Sequence, residues 1–288
     1  MRRFLLPCVL LALGLVAGDA HAVPMRFEIA RCTPYNAAIE AEDSSVLRAA
    51  EEAAHRGGLM ELRPLLSKME TALAHAPAAL DPLQLCDGRL VVRANNPSVF
   101  AAASALLADK AQSARIWKGK AAPKGVDWRP APYVNLSFLV GAIYSDQGDF
   151  EIALAALNKG LALDPANAVI ANAAAQVMMS LHRPDDAVAL CDRLLNGPTP
   201  LGETHKALLL RTRGAALGES GRFDEAIQDY RNALTHDPAK GASDGEIANL
   251  ERLKAGSADG VATTFGADQI KQIGPRSTQV VPDAPPKP

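Results

Sequence analysis

The sequence predicts an all-α protein, a solenoid of helical hairpins stacked as an α-α superhelix behind a small irregular N-terminal insert. Three observations carry this. Gly141, Gly148, Phe150, Ala153 and Asp164-Pro165 return as Gly214, Gly221, Phe223, Ala226 and Asp237-Pro238, each 73 residues later. That offset is two periods of about 34 residues plus five, and such a period marks a helix-turn-helix repeat. The composition agrees: 48% of residues are hydrophobic but only 5% aromatic, and small, straight-chain apolar residues suit closely packed helices.

In chain order, residues 1–22 read as a signal peptide. Arg2 and Arg3 give a positive start, Phe4 to Ala17 an apolar run, and Ala20-His21-Ala22 a small-x-small cleavage site. The run is too short to span comfortably, and no stop-transfer pattern follows. The mature chain then begins near Val23, in a bacterial periplasm; the alternative is a segment retained as a membrane anchor. Without the signal, 28 basic and 31 acidic residues remain. That balance argues against nucleic acid or an anionic membrane as partner, since both call for a basic surface.

Three cysteines survive cleavage. Cys191 falls on an apolar helix stripe with Val188 and Leu195, which suits a buried thiol. Cys32 and Cys86 lie in irregular sequence, where a disulfide can form in an oxidising compartment and contribute about 2–4 kcal/mol. The alternative is two unpaired, buried thiols.

Residues 23–130 form the N-terminal region. Met25 to Ala30 alternates weakly, as a strand or an extended arm. A helix is expected from Ser44 or Ser45 to His55, ended by Gly57-Gly58. A second runs from about Met60 to Ala76, with Pro64 in its first turn. Together, residues 46–77 have the proportions of a degenerate repeat, or of an unrelated helical hairpin.

The insert 78–130 breaks the period. Asp87-Gly88 between apolar runs signals a hairpin, Ser98 opens a helix from Val99 to about Ser113, and Lys118 to Pro132 reads as loop. Trp117 and Trp128 bracket that loop and are expected to pack as a lid over the first repeat.

Three repeats follow, at 134–167, 168–200 and 204–238. In the first, Val134 to Asp146 turns at Gly148 and is answered by Phe150 to Leu163; Ala153 permits close approach and Pro165 stops the unit. The third repeats the plan with Gly214, Gly221, Phe223, Ala226 and Pro238. The middle copy is eroded, with His182 at the turn and Pro184 in place of phenylalanine, though Ala187 still fills the contact position. Five extra residues fall in a Gly- and Pro-rich loop before the third copy, which costs little. A capping box, Ser243-x-x-Glu246, is expected to open a helix over 243–255 that closes the solenoid. Residues 256–288 are polar and Pro-rich and read as a disordered tail.

At Gly141, Tyr144, Gly148, Phe150, Ala153 and Pro165, and again at Gly214, Gly221, Phe223, Ala226, Tyr230 and Pro238, the chain resembles the tetratricopeptide repeat family. The resemblance covers 134–238 well and 46–77 weakly. It implies stacked helix pairs whose first helices line a concave groove for an extended peptide or a partner helix. On that plan Asn135, Phe138, Ala142 and Ser145 face the groove from the first copy. Asn172, Gln176 and Met179 do so from the second, and Leu208, Arg211 and Ala215 from the third. Asn172, Gln176 and Arg211 can pair with the backbone of an extended chain, or simply solvate a helix face. Chaperone-binding members grip a terminal carboxylate with lysines, an arginine and asparagines; Phe138 and Ala142 occupy the first copy's share of that clamp, so the resemblance does not carry that activity over.

No catalytic, metal or cofactor motif stands out. The histidines are scattered, and H-E-x-x-H, Cys-x-x-Cys and P-loop patterns are all missing. The reading is a non-catalytic protein-protein adaptor or scaffold of the bacterial cell envelope, with another envelope protein as partner and no integral span in the mature chain. Two alternatives stay open: an enzyme or small-ligand binder with a site between the insert and the repeats, and a periplasmic assembly chaperone. The insert lacks convergent polar residues, which favours the adaptor.

Overall fold

The computed structural model describes residues 29–32, 36–94, 97–117, 121–197, 201–237 and 242–256. The expected signal, Pro198 to Pro200 of the inter-repeat loop, Pro238 and the tail beyond Gly256 lie outside them. The chain divides into two compact units. One takes the described residues up to Ala41 together with Pro77–Pro132; the other takes Glu42–Ala76 and the chain from Tyr133 onward.

Strand β1 (Ala30–Arg31) is followed by helix α1 (Ala37–Gly57). The helix begins well before the expected Ser44 or Ser45. Asn36 caps it, its Oδ1 accepting from the amides of Ala38 at 3.0 Å and Ile39 at 3.3 Å, and the alanines that follow extend it readily. The helix expected over 60–76 is split instead into α2 (Leu59–Leu62), a 3-10 turn (Arg63–Leu65) and α3 (Leu66–Ala74). Pro64 explains the break, because it has no amide to donate and its ring crowds the carbonyl one turn back.

Strands β2 (Leu83–Cys86) and β3 (Arg89–Val92) pair antiparallel across Asp87-Gly88. Those two residues have φ 51 and 75, the left-handed pair that a two-residue hairpin uses. In place of one helix from Val99, α4 (Pro97–Ala108) and α5 (Lys110–Trp117) flank Asp109, whose Oδ1 accepts from the Ala111 amide at 2.9 Å. Strand β4 (Val126–Trp128) lies inside the stretch read as loop and pairs parallel to β3, giving the order β1-β2-β3-β4. Three residues offer too little alternation to signal a strand.

The first unit has its own core, in which Leu83, Leu90, Val92 and Ala103 pack with Phe100 and Trp128. Trp128 stacks on Phe100 with ring centroids 5.6 Å apart, and its Nε1 donates to the Ala94 carbonyl at 2.9 Å. It is therefore a core residue of this unit and not the expected lid, since its indole has both an aromatic neighbour and an acceptor there. Cys32 and Cys86 are joined by a disulfide, with Cα atoms 4.8 Å apart, tying the segment after β1 to the end of β2.

The second unit is a run of helical hairpins: α6 (Tyr133–Gln147) with α7 (Phe150–Leu163), α8 (Ala168–Ser180) with α9 (Pro184–Leu195), and α10 (Glu203–Glu219) with α11 (Phe223–His236). This is an all-α helical-repeat fold, and the sheet is confined to the other unit. Close approach within a hairpin depends on missing side chains. A β-carbon added at Gly141 would stand 2.6 Å from Leu157 Cγ and 3.3 Å from the Ala153 carbonyl oxygen; one at Gly214 would stand 3.0 Å from Tyr230 Cε2 and 3.2 Å from the Ala226 carbonyl oxygen. Ala153, Ala187 and Ala226 are each fully buried at the matching contact. The turns are left-handed in all three copies, with φ 84 at Gly148, 58 at His182 and 74 at Gly221. The eroded copy thus keeps its geometry with a residue that resists it.

Between the second and third hairpins, Arg213 donates to both carboxylate oxygens of buried Asp229, through Nε at 2.6 Å and Nη2 at 2.7 Å, and its Nη1 meets Asp192 of α9. Helix α12 (Ala242–Lys254) packs on α11 and buries Leu250. The expected capping box does not form. Ser243 lies inside the first turn because the helix starts at Ala242, and its hydroxyl has no hydrogen-bond partner among the described residues.

Candidate functional site

Within the second unit the first helices of the three hairpins stand side by side, α8 packing on both α6 and α10. The Glu42–Ala76 segment also meets α6. Helix α3 packs on α6, Tyr144 donates to Glu70 at 2.5 Å, Arg63 donates to Asp146 at 2.7 Å, and Asn135 Nδ2 donates to Glu51 at 3.3 Å. Glu70, by accepting that hydrogen bond, raises the Tyr144 phenol above its ordinary pKa. Buried Asp43 accepts from the Tyr133 hydroxyl at 3.0 Å and lies 3.0 Å from His75 Nδ1. These polar ties hold the segment against α6.

A pocket opens between α2, α6 and α8. Leu59, Phe138, Gly141, Ala142, Ser145, Leu157, Ala173 and Val177 line it, with a cavity volume of about 40 Å³. Phe138 and Ala142 are half-buried, while Ser145 is 8% exposed with no hydrogen-bond partner for its hydroxyl among the described residues. So Phe138, Ala142 and Ser145 come together, and Leu59 joins them from a segment that the repeat register does not reach. Only its spacing from Leu62 and Leu66 could have pointed to it.

The polar residues of the second copy lie deeper than a ligand-facing role requires. Asn172, Gln176 and Met179 are 3%, 4% and 4% exposed. The Asn172 Oδ1 accepts from Thr212 Oγ1 of α10 at 2.5 Å and from Gln176 Nε2 at 3.3 Å. Asn172 thus joins α8 to α10; Thr212, its partner, is an ordinary helix residue in the sequence. Arg211 is half-buried, 3.6 Å from Asp237, and burial lowers its guanidinium below the ordinary pKa while Asp237 opposes that. Asn135 sits at the edge, held by Glu51.

Among the described residues no cluster of His, Cys, Asp and Glu could hold a metal ion, and no helix is long and apolar enough to cross a membrane. Burial pushes the Cys191 thiol up to about 12, so it is protonated and unreactive at neutral pH. The face is apolar, small-featured and lightly hydrogen-bonding.

Models of the tetratricopeptide repeat match residues 144–197 and 207–240, which places such repeats in this chain. No curated protein matches it. Similar solved structures include the first TPR of Spaghetti (RPAP3) bound to the HSP90 peptide SRMEEVD, at 23% identity over 43% of this chain and 94% of that one, with a TM-score of 0.38. The second TPR domain of human RPAP3 with the HSP70 peptide SGPTIEEVD matches at 22% identity over 38% and 88%, TM-score 0.35. MamA MSR-1 matches at 16% identity over 80% of this chain and 97% of its own, TM-score 0.42.

Proposed function

We propose that this chain is a non-catalytic adaptor of the bacterial cell envelope that holds a segment of another protein, extended or helical, on the face made by α6, α8 and α10. The observation that carries the proposal is the half-buried Phe138 and Ala142 over an apolar pocket in a tetratricopeptide array, with Leu59 supplied from outside the repeats. Asn135 and Arg211 flank the bound segment, and Asn172, Gln176 and Met179 form the floor that positions it. Arg2-Arg3, the apolar run and Ala20-His21-Ala22 support export, and the Cys32–Cys86 bond suits an oxidising compartment.

Two measurements test this. N-terminal sequencing of the protein from its host should read from Val23; an intact Met1 on membrane-bound protein would favour the anchored form. Affinity capture from envelope extract should retain a defined protein on the wild type and lose it on Phe138→Asp at unchanged melting temperature. Equal capture by that variant would remove the face from the function.

A further inference from the structure

Helix α12 closes the array through a thin interface. It packs on α11, and its Leu250 reaches α10, where a β-carbon on Gly218 would stand 3.0 Å from Leu250 Cδ2. Among the described residues Leu250 is the one fully buried apolar side chain of α12; Ile247 and Leu253 are half-buried. Lys254 donates to Asp224 at 2.5 Å and Arg231 to Glu251 at 3.2 Å, but all four side chains are more than half exposed, and such pairs contribute little. Gly245, inside the helix and facing open space, weakens α12 relative to alanine.

Against these small gains stand polar groups that docking takes from water. Ser243 of α12 is 0% exposed and Tyr230 of α11 is 2% exposed, and neither hydroxyl has a hydrogen-bond partner among the described residues. Glu246 lies one turn after Ser243 and is half-buried. It acts on the Tyr230 phenol, as do Arg211 and Glu219 of α10 and Asp229 of α11, so carboxyl and phenol share one region of the interface. Tyr230 also lies against Gly214 of α10. Arg211 stands 3.6 Å from Asp237 and Asp229 is taken up by Arg213, while burial alone raises the Glu246 carboxyl above its ordinary pKa. Bare hydroxyls and a desolvated carboxyl oppose docking, and each regains water when the helix lifts.

We propose that α12 is a releasable cap, closed over α10 and α11 in acid and opening as pH rises toward neutral while the three hairpins stay folded. Docking favours the neutral form of Glu246. Its contribution is present in full below the ordinary glutamate range and is lost as pH rises through the raised value. The pairs made by Asp224 and Glu251 run the opposite way, weakening as those carboxylates gain protons, but they are exposed and salt screens them. The inference stands apart from the adaptor reading and uses neither its pocket nor its face.

Hydrogen exchange read by mass spectrometry tests this on the mature protein at pH 4 and pH 7, in about 0.5 M salt to screen the exposed pairs. Corrected for intrinsic rates, the protection of α12 is compared with that of α8. Helix α12 should be the less protected at both pH values, and its protection relative to α8 should be lower at pH 7 than at pH 4. Glu246→Gln, neutral throughout, should keep the pH 4 level at pH 7. Tyr230→Phe and Ser243→Ala, which each remove a bare hydroxyl, should raise α12 protection by roughly tenfold at both pH values.

An α12 as protected as α8, or equal relative protection at the two pH values, would overturn the inference. So would a pH difference that survives in Glu246→Gln, or lower protection in either hydroxyl variant.

Discussion

Thr212 of α10 donates to Asn172 of α8 at 2.5 Å, so one buried hydrogen bond joins the middle repeat to the last. Asn172 also accepts from Gln176. Removing its amide leaves the buried Gln176 Nε2 without its acceptor and breaks the tie between the two helices, while Thr212 Oγ1 keeps the Leu208 carbonyl at 2.9 Å, and Asn172→Ala should therefore cost about 1–3 kcal/mol of stability. Urea denaturation measures this directly. A variant as stable as the wild type would return Asn172 to a role in ligand contact alone.

The left-handed turn at His182 is the weak point of the array. Its two counterparts are glycines, and His182 holds the same conformation at φ 58 with a β-carbon. His182→Gly should stabilise the protein by about 1 kcal/mol, the strain relieved outweighing the added freedom of the unfolded chain. A lower denaturation midpoint would mean that the imidazole makes a compensating contact.

Asp164 gives the array a pH signature. Burial raises its pKa above the ordinary carboxylate value, opposed by hydrogen bonds from Asn167 and the Ala166 amide. A raised carboxyl contributes stability in full below its unfolded pKa and loses it as pH rises through the folded value. Asp164→Asn, which stays neutral, should gain on the wild type between pH 3 and pH 7. Melting curves at the two pH values check this; a smaller advantage at pH 7 than at pH 3 would contradict it.

Thiol counting separates the cysteines. The native, unreduced protein should show no thiol that reacts quickly, because Cys191 is buried and protonated. Denatured without reductant, the mature chain should titrate with one thiol. Three would mean that Cys32 and Cys86 are not joined in the protein as made.

The hairpins were legible because a helical turn repeats its demands. Glycine at Gly141 and Gly214, alanine at Ala153 and Ala226, and a proline after each pair are local requirements of close packing. The chain wrote them at fixed spacing. The small sheet was only half legible. Asp87-Gly88 announced its hairpin, but β1 and β4 are held by parallel pairing to strands distant in sequence, and two or three residues carry no period. The site was hardest to read. Helix register alone brought Asn172 and Gln176 to the ligand-facing side, but their depth depends on how closely α8 and α10 approach, which Thr212 reveals only in three dimensions. Leu59 enters the pocket from the first position of α2, outside the repeats.

Site-specific photocrosslinking in the intact envelope tests the central claim most directly. A photoreactive phenylalanine analogue would replace Phe138 on the proposed face, and in a second protein Ile152, a 50% exposed residue of the second-helix side. The account predicts a discrete covalent adduct with another protein from position 138 and none from position 152. Adducts from 152 and none from 138 would place the partner on the other side of the array and contradict it.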